Sequence, residues 1–312
     1  MDNPPRRVRP PLAIDTVCDG ATISHNEDLI AVFEHDDITD SVTDSITDIL
    51  VLDGGTSVAD TDHIDVEHGD VVWFVREFCR RLEPHLRRDV PQGDSVRLAL
   101  ADVHAAFLER TRRADVPLHA WPIAALSWLR IVRSGESATL QAWCVGDCKT
   151  LLFDGDASIQ DIDPYVNPQE AILQAQLRQL AEDGIVDAVA RKAQLLPMLR
   201  ARREEQNTAP LPSVLCLAPR GAIAARTFTV PLAPGAVILG MTDGFYRLVD
   251  PYRLLTAGEL ARRCAVVGLA PVLAQLRSFE ADARRAHSLA VKPADDAAAV
   301  LCRVLPGPDH GP

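Results

Sequence analysis

The chain lacks the usual marks of a membrane, secreted or nucleic-acid-binding protein. No apolar run approaches the ~18 residues a membrane-spanning helix needs, so no membrane partner is expected. The basic start, Met1-Asp-Asn-Pro-Pro-Arg-Arg-Val-Arg-Pro-Pro11, has no apolar segment behind it, which argues against a secretory signal and for a frayed tail. Positive charge is in deficit: 32 Lys and Arg against 44 Asp and Glu leave a net charge of -12. Binding a phosphate backbone needs basic surface, so nucleic acid is not an expected partner. The seven cysteines are odd in number and none stands in C-x-x-C spacing. They read as buried free thiols of a reducing, cytoplasmic compartment rather than a disulfide framework. A Gly-rich loop ending in Lys is also missing, which leaves nucleotide binding of the P-loop kind unsupported. Without a repeat, heptad or linker, the 312 residues read as one domain over 12–305, between tails 1–11 and 306–312.

What is present is a strand-rich pattern with helices between. Apolar residues make up 47% of the chain, enough for a sizeable core. Short apolar or alternating runs at Leu12–Val17, Leu29–Phe33 and Ile49–Leu52 read as strands, with Glu34–Asp48 as an exposed loop or hairpin tip. Helical spacing follows at Gly69–Leu86 and Val96–Thr111. Strand-like runs at Ile123–Val132, Ala138–Val145 and Lys149–Phe153 are joined by tight turns. The segment Asn167–Glu205 is helical in pattern, broken near Gly184. Ser213–Ala218, Thr227–Leu232 and Ala236–Gly240 read as strands, Pro251–Cys264 and Pro271–His287 as helices, and Ala297–Val304 as a last strand. Turns this short cannot make parallel crossovers, so the sheets are expected to be antiparallel. The order fits an α+β protein: a four-layer α-β-β-α sandwich of two sheets with flanking helices.

The chemistry sits at strand ends. Ile49-Leu-Val-Leu-Asp53-Gly, Trp143-Cys-Val-Gly-Asp147, Leu239-Gly-Met-Thr-Asp243-Gly and Ala294-Asp295-Asp each carry an Asp where a strand begins or ends, and Glu27-Asp28 precedes another strand. Asp-Gly after a strand is also ordinary turn chemistry. If the carboxylates converge, they repel one another unless a cation sits between them, and hard divalent ions suit oxygen ligands.

In this arrangement the chain resembles the metal-dependent type 2C (PPM) Ser/Thr protein phosphatases. His25-Asn-Glu-Asp28, Val51-Leu-Asp-Gly54, Val145-Gly-Asp-Cys-Lys149, Met241-Thr-Asp-Gly244 and Asp295-Asp-Ala-Ala-Ala299 look like that family's motifs, in the family's order, over roughly 12–305. The resemblance implies hydrolysis of phosphoserine and phosphothreonine on proteins by a metal-bridging water, with no covalent intermediate. It implies two Mn2+ or Mg2+ ions: Asp53 bridging both, Gly54 giving a carbonyl, Glu27 on one metal, and Asp243 and Asp295 on the other. Asp147 with Asp243 matches a weaker third site, and Asp28 fixes metal waters.

Several departures accompany the resemblance. Many members carry an Arg that grips the substrate phosphate where this chain has Ile23. His25 and Arg247 are the candidates to bind phosphate instead. Each also reads plainly, as a solvated loop His and a helix-surface Arg. His63 and His68, in the loop beyond Asp53-Gly54, are candidates for a general acid or are simply surface or helix-start histidines. Cys148 reads as a packed thiol. The competing functions are a catalytically weakened binding or regulatory module on the same fold, and a hydrolase of small phosphate esters. The sequence leaves open the physiological substrate, the opposing kinase, the choice of metal and the oligomeric state.

Overall fold

The computed structural model describes residues 10–22, 25–39, 42–154, 159–185, 187–282 and 294–306. In chain order come β1 (Leu12–Asp19), β2 (Leu29–Thr39), β3 (Val42–Gly54), α1 (Asp70–Leu82), α2 (Gln92–Arg110), β4 (Ile123–Ser134), β5 (Ser137–Val145), β6 (Lys149–Asp154) and β7 (Gln160–Asp161). They are followed by α3 (Pro168–Glu182), α4 (Ala188–Thr208), β8 (Leu215–Cys216), β9 (Arg226–Leu232), β10 (Ala236–Met241), α5 (Asp243–Tyr246), α6 (Ala257–Val267), α7 (Leu269–Ala281) and β11 (Ala297–Val304).

The strands form two sheets, ordered β1-β11-β10-β6-β7 and β2-β3-β4-β5-β9, with β8 pairing beside β4. All of these pairings are antiparallel, as the short turns require. The side-chain period of two sorts residues between layers. From β3, Ile49 and Val51 meet Ile238, Val300 and Cys302 in the space between the sheets. Their neighbours Leu50 and Leu52 turn outward onto Phe74 and Phe78 of α1 and Leu100 and Val103 of α2. On the other sheet Val237, Leu239 and Leu301 turn outward onto Leu260 of α6 and Val272 and Leu276 of α7. These three apolar clusters are the interior of a four-layer α-β-β-α sandwich.

Of the region Glu34–Asp48, expected as a loop or hairpin tip, residues 34–39 and 42–48 are strand: they belong to a long hairpin, with β2 and β3 paired from Leu29↔Leu52 to Thr39↔Val42. Its Asp, Ser and Thr residues look like turn formers in sequence, yet Ser45 to Asp48 pair with Arg133 to Arg130 of β4. Asp48 is fully buried and accepts hydrogen bonds from Arg130 and from the Trp128 indole, a pairing that makes a strand carboxylate tolerable. Ser213–Ala218 contributes only the two-residue β8. The helix expected from Pro251 begins at Ala257, where Thr256 and Glu259 form a capping box. The helix expected from Pro271 begins at Leu269 and is described to Ala281; His287 lies outside the described residues. Six cysteines are buried and all seven are free, but Cys18 is exposed. Trp128 is core, and Trp121 packs half-buried against the α1–α2 cluster.

Candidate active site

Strand β10 is buried at every position and stops at Thr242-Asp243-Gly244. Thr242, also buried, fixes the stop. Its backbone N–H donates to Ala298 O at 3.0 Å, its hydroxyl accepts from Ala298 N–H at 3.0 Å, and the hydroxyl donates to Asp28 Oδ2 at 2.7 Å. One side chain thus ties the end of β10 to the start of β11 and to the segment before β2. A Cβ on Gly244 would overlap the Asp296 carbonyl oxygen. Glycine lets the Asp243 turn and the Asp295-Asp296 turn lie against each other.

The end of β3 is held in the same manner. Gly54 N–H donates to Glu27 O at 3.2 Å, and Gly55 N–H donates to Ile123 O at 2.9 Å. A Cβ on Gly54 would lie 2.5 Å from Val71 Cγ1 and 2.7 Å from Glu27 O, so the Glu27 and Asp53-Gly54 segments touch backbone to backbone. Asp296, which sequence reasoning did not single out for the site, accepts from Glu27 N–H at 2.6 Å and from Ala21 N–H at 2.8 Å. Asp147 stands at the β5–β6 turn, where Gly146 has φ +79. Its Oδ2 accepts from Asn167 Nδ2 at 2.8 Å.

Asp28, Asp53, Asp147, Asp243 and Asp295 consequently share one end of the two sheets, close enough for their charges to act on Asp28, Asp53 and Asp243. Asp28 and Glu27 are buried, Asp53, Asp147 and Asp295 half-buried, and Asp243 reaches solvent. Burial pushes the Asp53 carboxyl well above the ordinary range, and repulsion from Asp243, Asp28, Asp147 and Asp295 adds to it. Asp28 is raised for the same reasons, burial first, against the Thr242 hydrogen bond that lowers it. Asp243 is pushed up to about 7 by its crowded surroundings and then by Asp147 and Asp295, while Arg247 and a hydrogen bond with Asp53 act the other way. Solvent at its tip tempers the first of these effects.

The counter-charges come from within the chain. Arg247 is buried, with Nη2 2.9 Å from Asp295 Oδ2 and Nη1 3.6 Å from Glu280 Oε1. It is therefore not a helix-surface residue; it faces the site with its fork engaged by carboxylates. A four-residue offset from Asp243 in a helix this short does not reveal which way the side chain turns. Arg277 donates to Glu280 Oε2, to the Asp295 carbonyl and to Asp19. His25 Nε2 lies 3.1 Å from Glu27 Oε1, which raises the imidazole's pKa. His68 pairs with Asp65, and the His63 backbone N–H donates to Asp70. Cys148 is buried, its thiol raised well above its ordinary value by burial and by Asp53, which suits a packed thiol and not a nucleophile. Ile23 lies outside the described residues.

Among the described residues no group of His, Cys, Asp or Glu is arranged as a ready metal cage. Three of the carboxylates are instead held by protein donors: Asp295 by Arg247, Asp147 by Asn167 and Glu27 by His25. The donor set nevertheless has the chemistry a hard divalent cation takes: carboxylate oxygens that repel one another, beside the backbone of Gly54.

Sequence reasoning missed Thr242, Asn167, Asp296 and three arginines near the site, Arg202, Arg203 and Arg277. Asn167-Pro168 was legible as a helix start, and Arg200-Ala-Arg-Arg203 as a basic stretch, but neither pattern names what it faces.

No family model matches the chain, and no curated protein matches it. Solved structures do. The serine/threonine phosphatase PstP/Ppp of Mycobacterium tuberculosis superposes with a TM-score of 0.50 at 16% identity, covering 94% of this chain and 99% of that one. A serine/threonine phosphatase of S. agalactiae gives 0.52 at 12% identity, covering 94% and 99%. Stp1 of Staphylococcus aureus gives 0.52 at 11%, covering 97% and 99%. The chain has the fold of these bacterial serine/threonine phosphatases along nearly its whole length.

Proposed function

We propose that the chain is a divergent PPM-type phosphatase that hydrolyses phosphoserine and phosphothreonine on proteins with divalent cations bound in the carboxylate cleft. The observation that carries this reading is the convergence of Asp53, Asp147, Asp243 and Asp295, where burial and then mutual repulsion lift the proton affinity of Asp53 and Asp243. An acidic cleft of this kind on a phosphatase fold is suited to a cation and, through it, to a phosphate ester. Glu27, Asp53, Asp243 and Asp295, with the Gly54 carbonyl, would hold two Mn2+ or Mg2+ ions, and Asp147 with Asp243 a weaker third. Bound there, the ions supply positive charge that draws in a phosphate monoester and makes water easier to ionise.

The remaining residues prepare the cleft. Thr242 holds Asp28 fixed relative to Asp243. Asn167 fixes Asp147 from the start of α3. Asp296 pins the Glu27 backbone, and Arg277 pins the Asp295 carbonyl. His25, half-exposed beside Glu27, is a donor at the rim. A second reading, a phosphatase-fold binding module, is favoured by one observation: Arg247 already neutralises Asp295.

Release of phosphate from a phosphopeptide, measured with Mn2+ or Mg2+ and with chelator, tests the reading. Metal-dependent turnover lost in Asp53→Asn supports it. Metal binding without turnover favours the binding module, and turnover indifferent to chelator overturns the assignment of the carboxylates.

A further inference from the structure

Helix α4 lies over the site and touches it from two sides. Arg203, buried, donates through Nη2 to Gly55 O and Thr56 O, both at 3.0 Å, on the segment that follows Asp53-Gly54. Arg200 donates through Nε to Val58 O at 2.9 Å. Both residues clamp the loop after β3. Arg202, turned ~100° from Arg203 by the helix, reaches the Asp147 side instead. Its Nη2 lies 3.3 Å from Asn167 Oδ1, and Asn167 Nδ2 donates to Asp147 at 2.8 Å.

Arg202 differs from the other arginines around the site in its partners. Arg247 is paired with Asp295, Arg277 with Asp19 and Glu280, and Arg226 with Asp163. Arg202 is half-buried, yet among the described residues no carboxylate lies within ion-pair distance. Its one hydrogen bond is long and goes to a neutral amide oxygen that already caps α3 through Gln169 N–H. The nearest charges, Asp147, Glu205 and Glu170, act on it only at a distance. In a chain of net charge -12, a guanidinium partly removed from water with no anion is an unfavourable arrangement until an anion arrives. A fork of donors beside an acidic cleft matches a phosphate, which it can grip through two oxygens at once.

We propose that Arg202 is the residue that binds the substrate's phosphate, so that the fork comes from α4 rather than from the segment before β2 that holds Ile23. The ligand class is a phosphate monoester dianion, seated between Arg202 and the carboxylate cleft. The proposal rests on the phosphatase reading.

Calorimetric titration of the Mg2+-loaded full chain with inorganic phosphate tests it, beside phosphopeptide kinetics and a separate Mg2+ titration. Arg202→Gln is expected to weaken phosphate binding and raise KM by about tenfold or more, with Arg202→Lys intermediate, because a point charge replaces a planar fork poorly. Mg2+ affinity and melting temperature are expected to hold, and the exposed control Arg178→Gln to behave as wild type. Unchanged phosphate affinity in Arg202→Gln overturns the proposal, as does a loss matched by lost Mg2+ affinity, which would make Arg202 a support of Asn167 and Asp147. Arg202-dependent phosphate binding without phosphopeptide turnover defeats the phosphatase reading alone, leaving Arg202 as the anion ligand.

Discussion

Arg247 Nη2 lies 2.9 Å from Asp295 Oδ2 while Nη1 of the same side chain lies 3.6 Å from Glu280 Oε1. The guanidinium bridges a half-buried site carboxylate and a buried one on α7. Tyr252 completes the group, its hydroxyl donating to Glu280 Oε1 at 3.1 Å. An internal cation therefore holds Asp295 in place and lowers the local repulsion.

Removing that cation leaves Glu280 buried with only Arg277 and Tyr252 beside it. Breaking a buried pair from one side costs roughly 3–5 kcal/mol. Arg247→Met is expected to lose stability on that scale, less whatever Arg277 recovers. The double variant Arg247→Met, Glu280→Leu is expected to lose less than the sum of the two single changes. Urea midpoints of the four proteins check this, and strict additivity would show that the two residues do not interact.

The raised carboxyls make stability depend on pH. Folded Asp53, Asp28 and Asp243 hold their protons more tightly than the unfolded chain does, with Asp243 up to about 7. The unfolded chain releases them near its ordinary value of about 3.9. As pH rises from there through about 7, the folded state keeps protons the unfolded state has lost, so these groups make folding progressively less favourable. In chelator, the denaturation midpoint is expected to fall between pH 5 and pH 8, and Asp243→Asn to flatten that fall. A midpoint that rises over the interval contradicts the arrangement.

Divalent cations should reverse the same penalty. As pH rises the raised carboxyls lose protons and their repulsion grows, so a bound cation has more to neutralise at pH 8 than at pH 5. Mg2+ or Mn2+ at a hundred times its dissociation constant would stabilise by about 2.7 kcal/mol. A melting temperature that climbs with cation concentration at pH 8, climbs less at pH 5, and fails to climb in Asp53→Asn is the expected pattern.

The layers were legible from local pattern because period and burial coincide there. Ala236–Met241 is apolar throughout and is buried on both faces. The Asp residues at the strand ends were legible too, since an acid closing an apolar run is visible without knowing the fold. What escaped is whatever depends on a distant partner. Asp48 reads as a turn former until Arg130, 82 positions away, is seen beside it. Asn167 reads as a helix cap, and nothing local shows that its amide also reaches Asp147. Arg247 sits where either face of a one-turn helix was open.

Thr242 offers the sharpest test of how the site is assembled. It is fully buried, and its hydroxyl both donates to Asp28 and accepts from Ala298 N–H. Valine has nearly the same shape and neither capacity, so Thr242→Val leaves a buried carboxyl and a buried N–H short of a partner. Each such loss costs ~1–3 kcal/mol. The hydroxyl also lowers the proton affinity of Asp28, so its removal leaves Asp28 still more reluctant to ionise. Thr242→Ser keeps the hydroxyl and is expected to stay near wild type. If Thr242→Val instead matches Thr242→Ser in both urea midpoint and divalent-cation affinity, the link between β10, β11 and Asp28 is not what holds the carboxylates together.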